Sequence, residues 1–222
     1  MIRFPDNFVL FLAALFFRCI SRKVFVLHST DQFAEAVVAL FWKIHSLDRV
    51  PRAGFLLRGV PDPESVAAHS HFMAFLALLF IREYPEGYDL GKALAMALVH
   101  DLPEAQLMDV PMPVASRWLG EAKEQAEQGI FDELFSAFPD YYSGLHAEFA
   151  EGKSPEARLL RALDKAQMML KVMHYEKENR GCVEEFWHNP GNFNDHGLPA
   201  VSALFDAICK KAGRTRPVPT PS

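Results

Sequence analysis

The segment "AMALVHDLPEAQLMDV", residues 95–110, runs from apolar residues straight into His100 and Asp101, with Glu104 after a proline and Asp109 five residues later. Imidazoles and carboxylates at the end of a buried-looking stretch are costly unless something satisfies them. Residues of the same chemistry interrupt two other apolar segments. His69 follows Val66 by three positions and precedes Met73 by four, on the inward stripe of its helix, and Asp164 lies four after Leu160 at the edge of another buried face. Neutral imidazoles and carboxylates are ligands of divalent first-row metals, and a cation offsets the cost of burying the acids. Each residue also has a local explanation. His69 fits a hydrogen-bonded core histidine, Asp101 a helix cap whose capping box Glu104 closes, and Asp164 a partner for Arg161 or Lys165.

The elements that must position these groups read as helices. Phe33, Ala36, Val37, Leu40, Phe41, Ile44 and Leu47 recur at helical spacing after a cap at Ser29, Thr30 or Asp31. Residues 48–63 hold three prolines and two glycines and read as an ordered loop; Asp62-Pro63-Glu64 then predicts a cap and first turn for a helix over about 63–83. That helix is apolar nearly all round, so it should be central. Further helices are expected over about 90–101 and 120–138, then from the Ser154 cap and Pro155, and finally over about 199–212. No alternating strand pattern and no internal repeat is visible. The prediction is an all-α, single-domain helical bundle over 29–212, with an apolar extension at 1–28 and a disordered tail at 213–222. The apolar run "FVLFLAALFF", residues 8–17, falls short of the roughly 20 residues a membrane span needs. It reads as an extra helix on the core, a dispensable upstream segment, or a signal or anchor.

The totals narrow the function. Half of the 222 residues are hydrophobic and the formal net charge is −5, which fits a soluble protein and argues against a general nucleic-acid binder. Cys19, Cys182 and Cys209 are odd in number and widely spaced, so no disulfide framework is expected and a reducing cytoplasm is the default. A phosphate ligand needs only one or two cations, and the loop before the His69 helix offers Arg52 and Arg58, either able to clamp a phosphate bidentately. Arg58 equally fits an exposed loop charge. The cluster "HNPGNFNDH", with His188, Asp195 and His196, reads as a solvated loop more readily than as a second metal site; His28, His45, His71, His146 and His174 read as structural or surface residues.

His69, His100-Asp101 and Asp164 together form the H…HD…D pattern, flanked by R-x-G-F-x-x-R from Arg52, E-S-V-x-x-H from Glu64 and H-D-x-x-E-x-x-x-x-D from His100. In these segments the chain resembles the HD-domain phosphohydrolases, most closely the HD-domain 5′-deoxynucleotidases, from about Leu47 to about residue 209. The resemblance implies an HD-domain helical bundle, a homodimer, and one divalent ion (Mn, Co, Fe or Zn) on His69, His100, Asp101 and Asp164. The substrate it implies is a deoxyribonucleoside 5′-monophosphate, losing its phosphate. Glu104 would orient or deprotonate the attacking water, Asp109 would face the nucleoside end, and Arg52 would lie on the phosphate side. Phe55 stands where the family often has Trp, as an apolar wall near the sugar, and Met108 replaces the glycine usual before the second acid. Competing readings are an HD hydrolase of a cyclic nucleotide or an alarmone, and a metal-dependent nucleotide-binding module without turnover.

Overall fold

The structure, a computed structural model, describes residues 29–217, so the apolar extension at 1–28 lies outside the described residues. The chain divides into two compact units, Met1–Glu35 and Ala36–Ser222. In the first, Ser29 and Gln32 form a reciprocal capping box: Gln32 N–H donates to Ser29 Oγ at 3.2 Å and Ser29 N–H to Gln32 Oε1 at 3.0 Å. This starts helix α1, Thr30–Ile44.

The second unit carries the rest. After α1 come α2 (Ala53–Leu56), α3 (Val66–Glu83), α4 (Leu90–Val99), α5 (Glu104–Leu107), α6 (Met112–Val114), α7 (Glu121–Leu134) and α8 (Tyr141–Glu151). They are followed by α9 (Pro155–Lys177), α10 (Glu184–His188) and α11 (Pro199–Ala212). Among the described residues there is no strand, so the predicted all-helical class holds; the only sheet-like feature there is an antiparallel bridge between Pro51 and Ser65. Helix α9 is the central rod, packing on α3, α4, α8 and α11, while α3 and α4 pack along each other. Met73, Ala77, Ala93, Met96, Leu160, Leu163 and Met169 are fully buried at these crossings.

Two local expectations change. The first long core helix starts at Val66, capped by Ser65 Oγ accepting from Ala68 N–H at 3.2 Å, and not at Pro63. The cause is non-local. Val66 N–H donates to Val50 O at 2.9 Å and Arg52 N–H to Glu64 O at 3.0 Å, which pulls residues 64–66 against the 50–52 loop before the helix can begin. Asp62 takes a left-handed turn conformation (φ 47°) instead of capping. The helix expected over 120–138 ends at Leu134, and the chain resumes as α8, which the sequence pattern did not announce; Pro139 has no N–H to donate to Phe135 O, so the helix does not run through it. Helix α9 opens as expected, with Ser154 Oγ accepting from Ala157 N–H at 3.3 Å and Pro155 at the first position.

Residues 213–217, expected within a disordered tail, are tied down. Arg214 pairs with Glu176 and Glu184, and Arg216 donates to Phe193 O (2.7 Å), Ser202 Oγ (2.7 Å) and Asp195 (2.8 Å). Residues 218–222 lie outside the described residues.

The loop carrying Arg58 is locked from the far end of α9. Gly181 has φ 73°, and a Cβ there would come within 2.6 Å of Arg58 O and 2.8 Å of Val60 N, both backbone atoms. Gly181→Ala should therefore lose about 2–4 kcal/mol of stability in urea unfolding, combining strained backbone with a clash that cannot relax. Gly87→Ala has the same unfavourable φ (83°) but open space around it, and should lose about 1 kcal/mol.

Candidate metal and active site

Three core helices bring their polar residues to one point. His69 lies in the first turn of α3, where the bridge to residues 50–52 fixes the helix entry. His100 ends α4, and Asp101 follows in the tight turn before α5. Asp164 lies midway along α9. One ligand atom each from His69, His100 and Asp101 lie within 4.8 Å of one another. Asp101 Oδ2 is 3.0 Å from His100 Nε2 and 3.9 Å from His69 Nε2; Asp164 Oδ1 is 3.1 Å from His69 Nε2.

The protonation geometry favours a cation. His100 Nδ1 donates to Ala97 O at 2.9 Å, and His69 Nδ1 meets Gln167 Oε1 at 2.6 Å. The Gln167 amide is oriented by its own Nε2, which donates to Glu64 Oε2 at 2.8 Å, so its oxygen is the end that faces His69. Both Nδ1 atoms thus carry the proton and both Nε2 atoms keep a lone pair. Those two Nε2 atoms are buried with no hydrogen-bond partner; the short approaches of Asp101 to His100 and of Asp164 to His69 lack the alignment of an N–H bond. Buried acceptor nitrogens beside carboxylates are orphans in a protein alone and ligands beside a metal ion. Charge agrees with this. Burial works against a positive His100, yet Asp101 and Asp164 raise its pKa, so the site draws positive charge to that ring. Burial likewise opposes ionisation of Asp101, but His100, Arg52 and His69 hold its pKa well below the usual carboxylate range. The residues present therefore fit a divalent ion.

The structure settles two of the local alternatives. Asp101 does not cap a helix: Glu104 N–H donates to the Asp101 backbone oxygen at 3.0 Å, and the Asp101 side chain turns to the histidines and Arg52. Asp164 does meet Lys165, at 3.1 Å, while its other oxygen faces His69. Arg52 stands among three acids, 3.6 Å from Asp101, 3.8 Å from Asp164 and 3.9 Å from Asp109. Those separations are attraction without hydrogen bonds, so its guanidinium keeps its donors. Burial disfavours the charge on Arg52, but the three acids outweigh it and raise its pKa.

Glu104 is buried, and its Oε2 has no partner. Burial, with Asp101 and Asp109 beside it, pushes its pKa up to about 10; a cation in the same cavity acts in the opposite direction. Asp109 Oδ2 accepts from Ala53 N–H at 2.6 Å, which ties it to the start of α2 and to the loop of Arg52. Before it, Met108 adopts φ 69° and ψ 162°, a region populated almost only by glycine. Phe55 borders the cavity but is only 2 % exposed; its ring packs edge-on to Tyr175 at 5.0 Å and against Phe186 at 5.4 Å. It is a core residue as well as a wall. Arg58 also borders the cavity and is engaged by Glu185.

The cluster forms part of a cavity of about 740 Å³, within the range of small-ligand sites. Its lining includes residues that the sequence pattern did not mark. His146 is buried, stacks on Phe131 at 4.5 Å, and hydrogen-bonds through Nδ1 to Gln128 Oε1 at 2.9 Å; burial and His100 nearby push its pKa down to about 4. Lys123 lies on the same wall, held by Glu127. Asn189, Asn192, Asn194 and His196 border the cavity too, so the Asn/Gly loop is more than a solvated connection. Its His188 and Asp195 turn to Glu184 and Arg216. Of these, the sequence singled out only His196, within a cluster read as a solvated loop, and it left His146 among the structural or surface histidines.

A fold of packed helices with paired histidines and aspartates at their crossing is that of the HD-domain phosphohydrolases. Residues 44–192 match the HD domain, and the chain belongs to the HD-domain family. It is similar to the Xenopus laevis protein named 5′-deoxynucleotidase HDDC2, 31 % identical over 173 residues, covering 74 % of this chain and 82 % of the relative. The Dictyostelium discoideum protein of the same name is 32 % identical over 180 residues, covering 74 % and 93 %. Among solved structures, the PH0347 protein of Pyrococcus horikoshii OT3 superposes with a TM-score of 0.66 at 32 % identity, over 79 % of this chain and 98 % of that one.

Two outcomes follow from the geometry. Gln167→Met removes the acceptor that fixes His69 without changing its volume much, and should weaken metal binding about 10–100-fold in a chelator-competition titration. Met108→Gly should raise stability by about 1 kcal/mol in urea unfolding, as strain is relieved against glycine's extra unfolded freedom.

Proposed function

We infer that this chain is a metal-dependent 5′-deoxynucleotidase, hydrolysing the phosphate monoester of deoxyribonucleoside 5′-monophosphates to nucleoside and phosphate. The observation that carries this is the pair of orphaned Nε2 atoms beside Asp101 and Asp164, in one cavity with Arg52 and Glu104. The names of the relatives agree with it. His69, His100, Asp101 and Asp164 would hold the ion; imidazole and carboxylate donors suit Mn, Co, Fe or Zn. Bound there, it supplies Lewis acidity and neutralises charge that builds on the phosphate.

The protein's own groups do the rest. Arg52, with donors uncommitted, takes phosphate oxygens bidentately. Glu104, one turn beyond His100-Asp101, receives the proton of the attacking water at its unpartnered Oε2. Asp109 holds the Arg52 loop through Ala53 and borders the nucleoside end. Arg58 adds positive charge at the cavity edge, and Phe55 backs the wall by the sugar. The same reading includes a homodimer, for which the exposed line of Phe72, Phe75 and Leu79 on α3 offers an apolar face, and a cytoplasmic setting, consistent with the free thiols of Cys182 and Cys209. Nucleic acid is not among the proposed partners, given the net charge of −5.

The test is phosphate release from a deoxyribonucleoside 5′-monophosphate panel with added Mn²⁺ or Co²⁺. Glu104→Gln should lower kcat by at least about a hundredfold while metal stoichiometry stays at wild type. Loss of the metal with that substitution would make Glu104 a ligand. Activity confined to cyclic nucleotides or alarmones would assign the site to another HD hydrolase, and binding without turnover would assign it to a nucleotide-binding module.

A further inference from the structure

The Asn/Gly loop 189–196 has a construction that a solvated connection does not need. Phe193 is buried between Trp187 (6.3 Å) and Phe205 (5.5 Å). Arg216 reaches back from the tail to Phe193 O and Asp195, at 2.7 and 2.8 Å. Arg158, on the same helix as Asp164, donates to His196 O at 2.7 Å. His196 itself is held in a left-handed turn at φ 50°. The loop is therefore fixed from the tail, from α9 and from the core, a degree of pre-organisation that favours recognition.

What it brings to the cavity is neutral and polar. Each of three asparagines uses one end of its amide for the loop and leaves the other free. Asn189 Oδ1 accepts from Gly191 N–H at 3.0 Å, leaving its Nδ2. Asn192 Nδ2 donates to Phe186 O at 2.9 Å, leaving its Oδ1. Asn194 Oδ1 accepts from His196 N–H at 3.0 Å, leaving its Nδ2. All three border the cavity that holds the metal cluster. Burial, with Arg161 and Arg158 near, lowers the pKa of His196, the fourth loop residue on that cavity, which favours its uncharged form. Two amide donors, one amide acceptor and a neutral ring match a planar heterocycle that carries both hydrogen-bond polarities; they offer a phosphate no charge.

We propose that loop 189–196 reads the nucleobase edge of the substrate, with Asn192 Oδ1 as acceptor and Asn194 Nδ2 and Asn189 Nδ2 as donors. This rests on the nucleotidase reading of the cavity and adds to it which residues set base preference. The Arg52 and metal-ligand end then fixes the phosphate, and the loop selects among bases.

Asn194→Asp tests it. The aspartate keeps Oδ1 for the His196 N–H and so preserves the turn, but replaces the free donor by an acceptor. For the Mn²⁺-loaded full chain, kcat/KM is measured for dAMP, dGMP, dCMP and TMP, each divided by the value for 2-deoxyribose 5-phosphate, which has no base. The expected result is a changed base order, with at least one ratio moving about tenfold, the worth of one net hydrogen bond. Ratios that all stay within about twofold of wild type would overturn the proposal. If Asn194→Asp does not fold, His196→Asn tolerates the left-handed backbone and is read by the same ratios. If the wild type hydrolyses none of the substrates, the nucleotidase reading fails by itself, and equilibrium binding of the four deoxynucleosides judges the loop: base-dependent changes in Asn194→Asp support it, and equal or absent binding overturns it.

Discussion

Two histidine rings are held by their Nδ1 protons so that bare Nε2 lone pairs face half-buried carboxylates, and this arrangement needs a positive charge at its centre. Carboxylate oxygens lie 3.0–3.9 Å from those nitrogens. Arg52 supplies one positive charge, but at 3.6–3.9 Å from three acids it bonds to none of them. Much of the architecture serves that convergence. The residue 50–52 bridge sets where α3 begins and hence where His69 sits; the end of α4 places His100-Asp101; and α9, packed across both, brings Asp164 from one side and Gln167 from the other.

How much of this was legible in the sequence depends on range. His69, His100 and Asp164 stand out because helical periodicity makes a polar residue on an apolar face visible, and periodicity is a local property. Ser154-Pro155 announced α9 for the same reason. What stayed hidden was decided far along the chain. Gln167 chooses the tautomer of His69 from 98 positions away, and Glu64 orients Gln167 from 103 positions away. The late start of α3 comes from pairing with Val50 and Arg52, which overrides a good local cap at Asp62. The resemblance makes Phe55 a wall, whereas Tyr175 and Phe186 make it part of the core as well. The Asn/Gly loop has the composition of a solvated turn; its place on the cavity depends on the fold, with Arg158 and Arg216 pinning it from distant parts of the chain.

The two ends of the cavity are built on different physics. At the metal cluster, strongly interacting charges in low dielectric make each group's state depend on its neighbours, so single changes spread through the set. At loop 189–196 the groups are neutral amides, each anchored by its own backbone bond, so changes there stay local. Met108 lies between these regimes. Its glycine-type backbone persists because Asp109, next to it, is fastened to Ala53.

Arg216 lies beyond the last helix, yet it grips Phe193 O, Asp195 and Ser202. The segment after α11 thereby acts as a clasp on one wall of the cavity. Release of this one guanidinium would leave the His/Asp cluster untouched and slacken the opposite wall of the pocket, so the two walls can be perturbed independently.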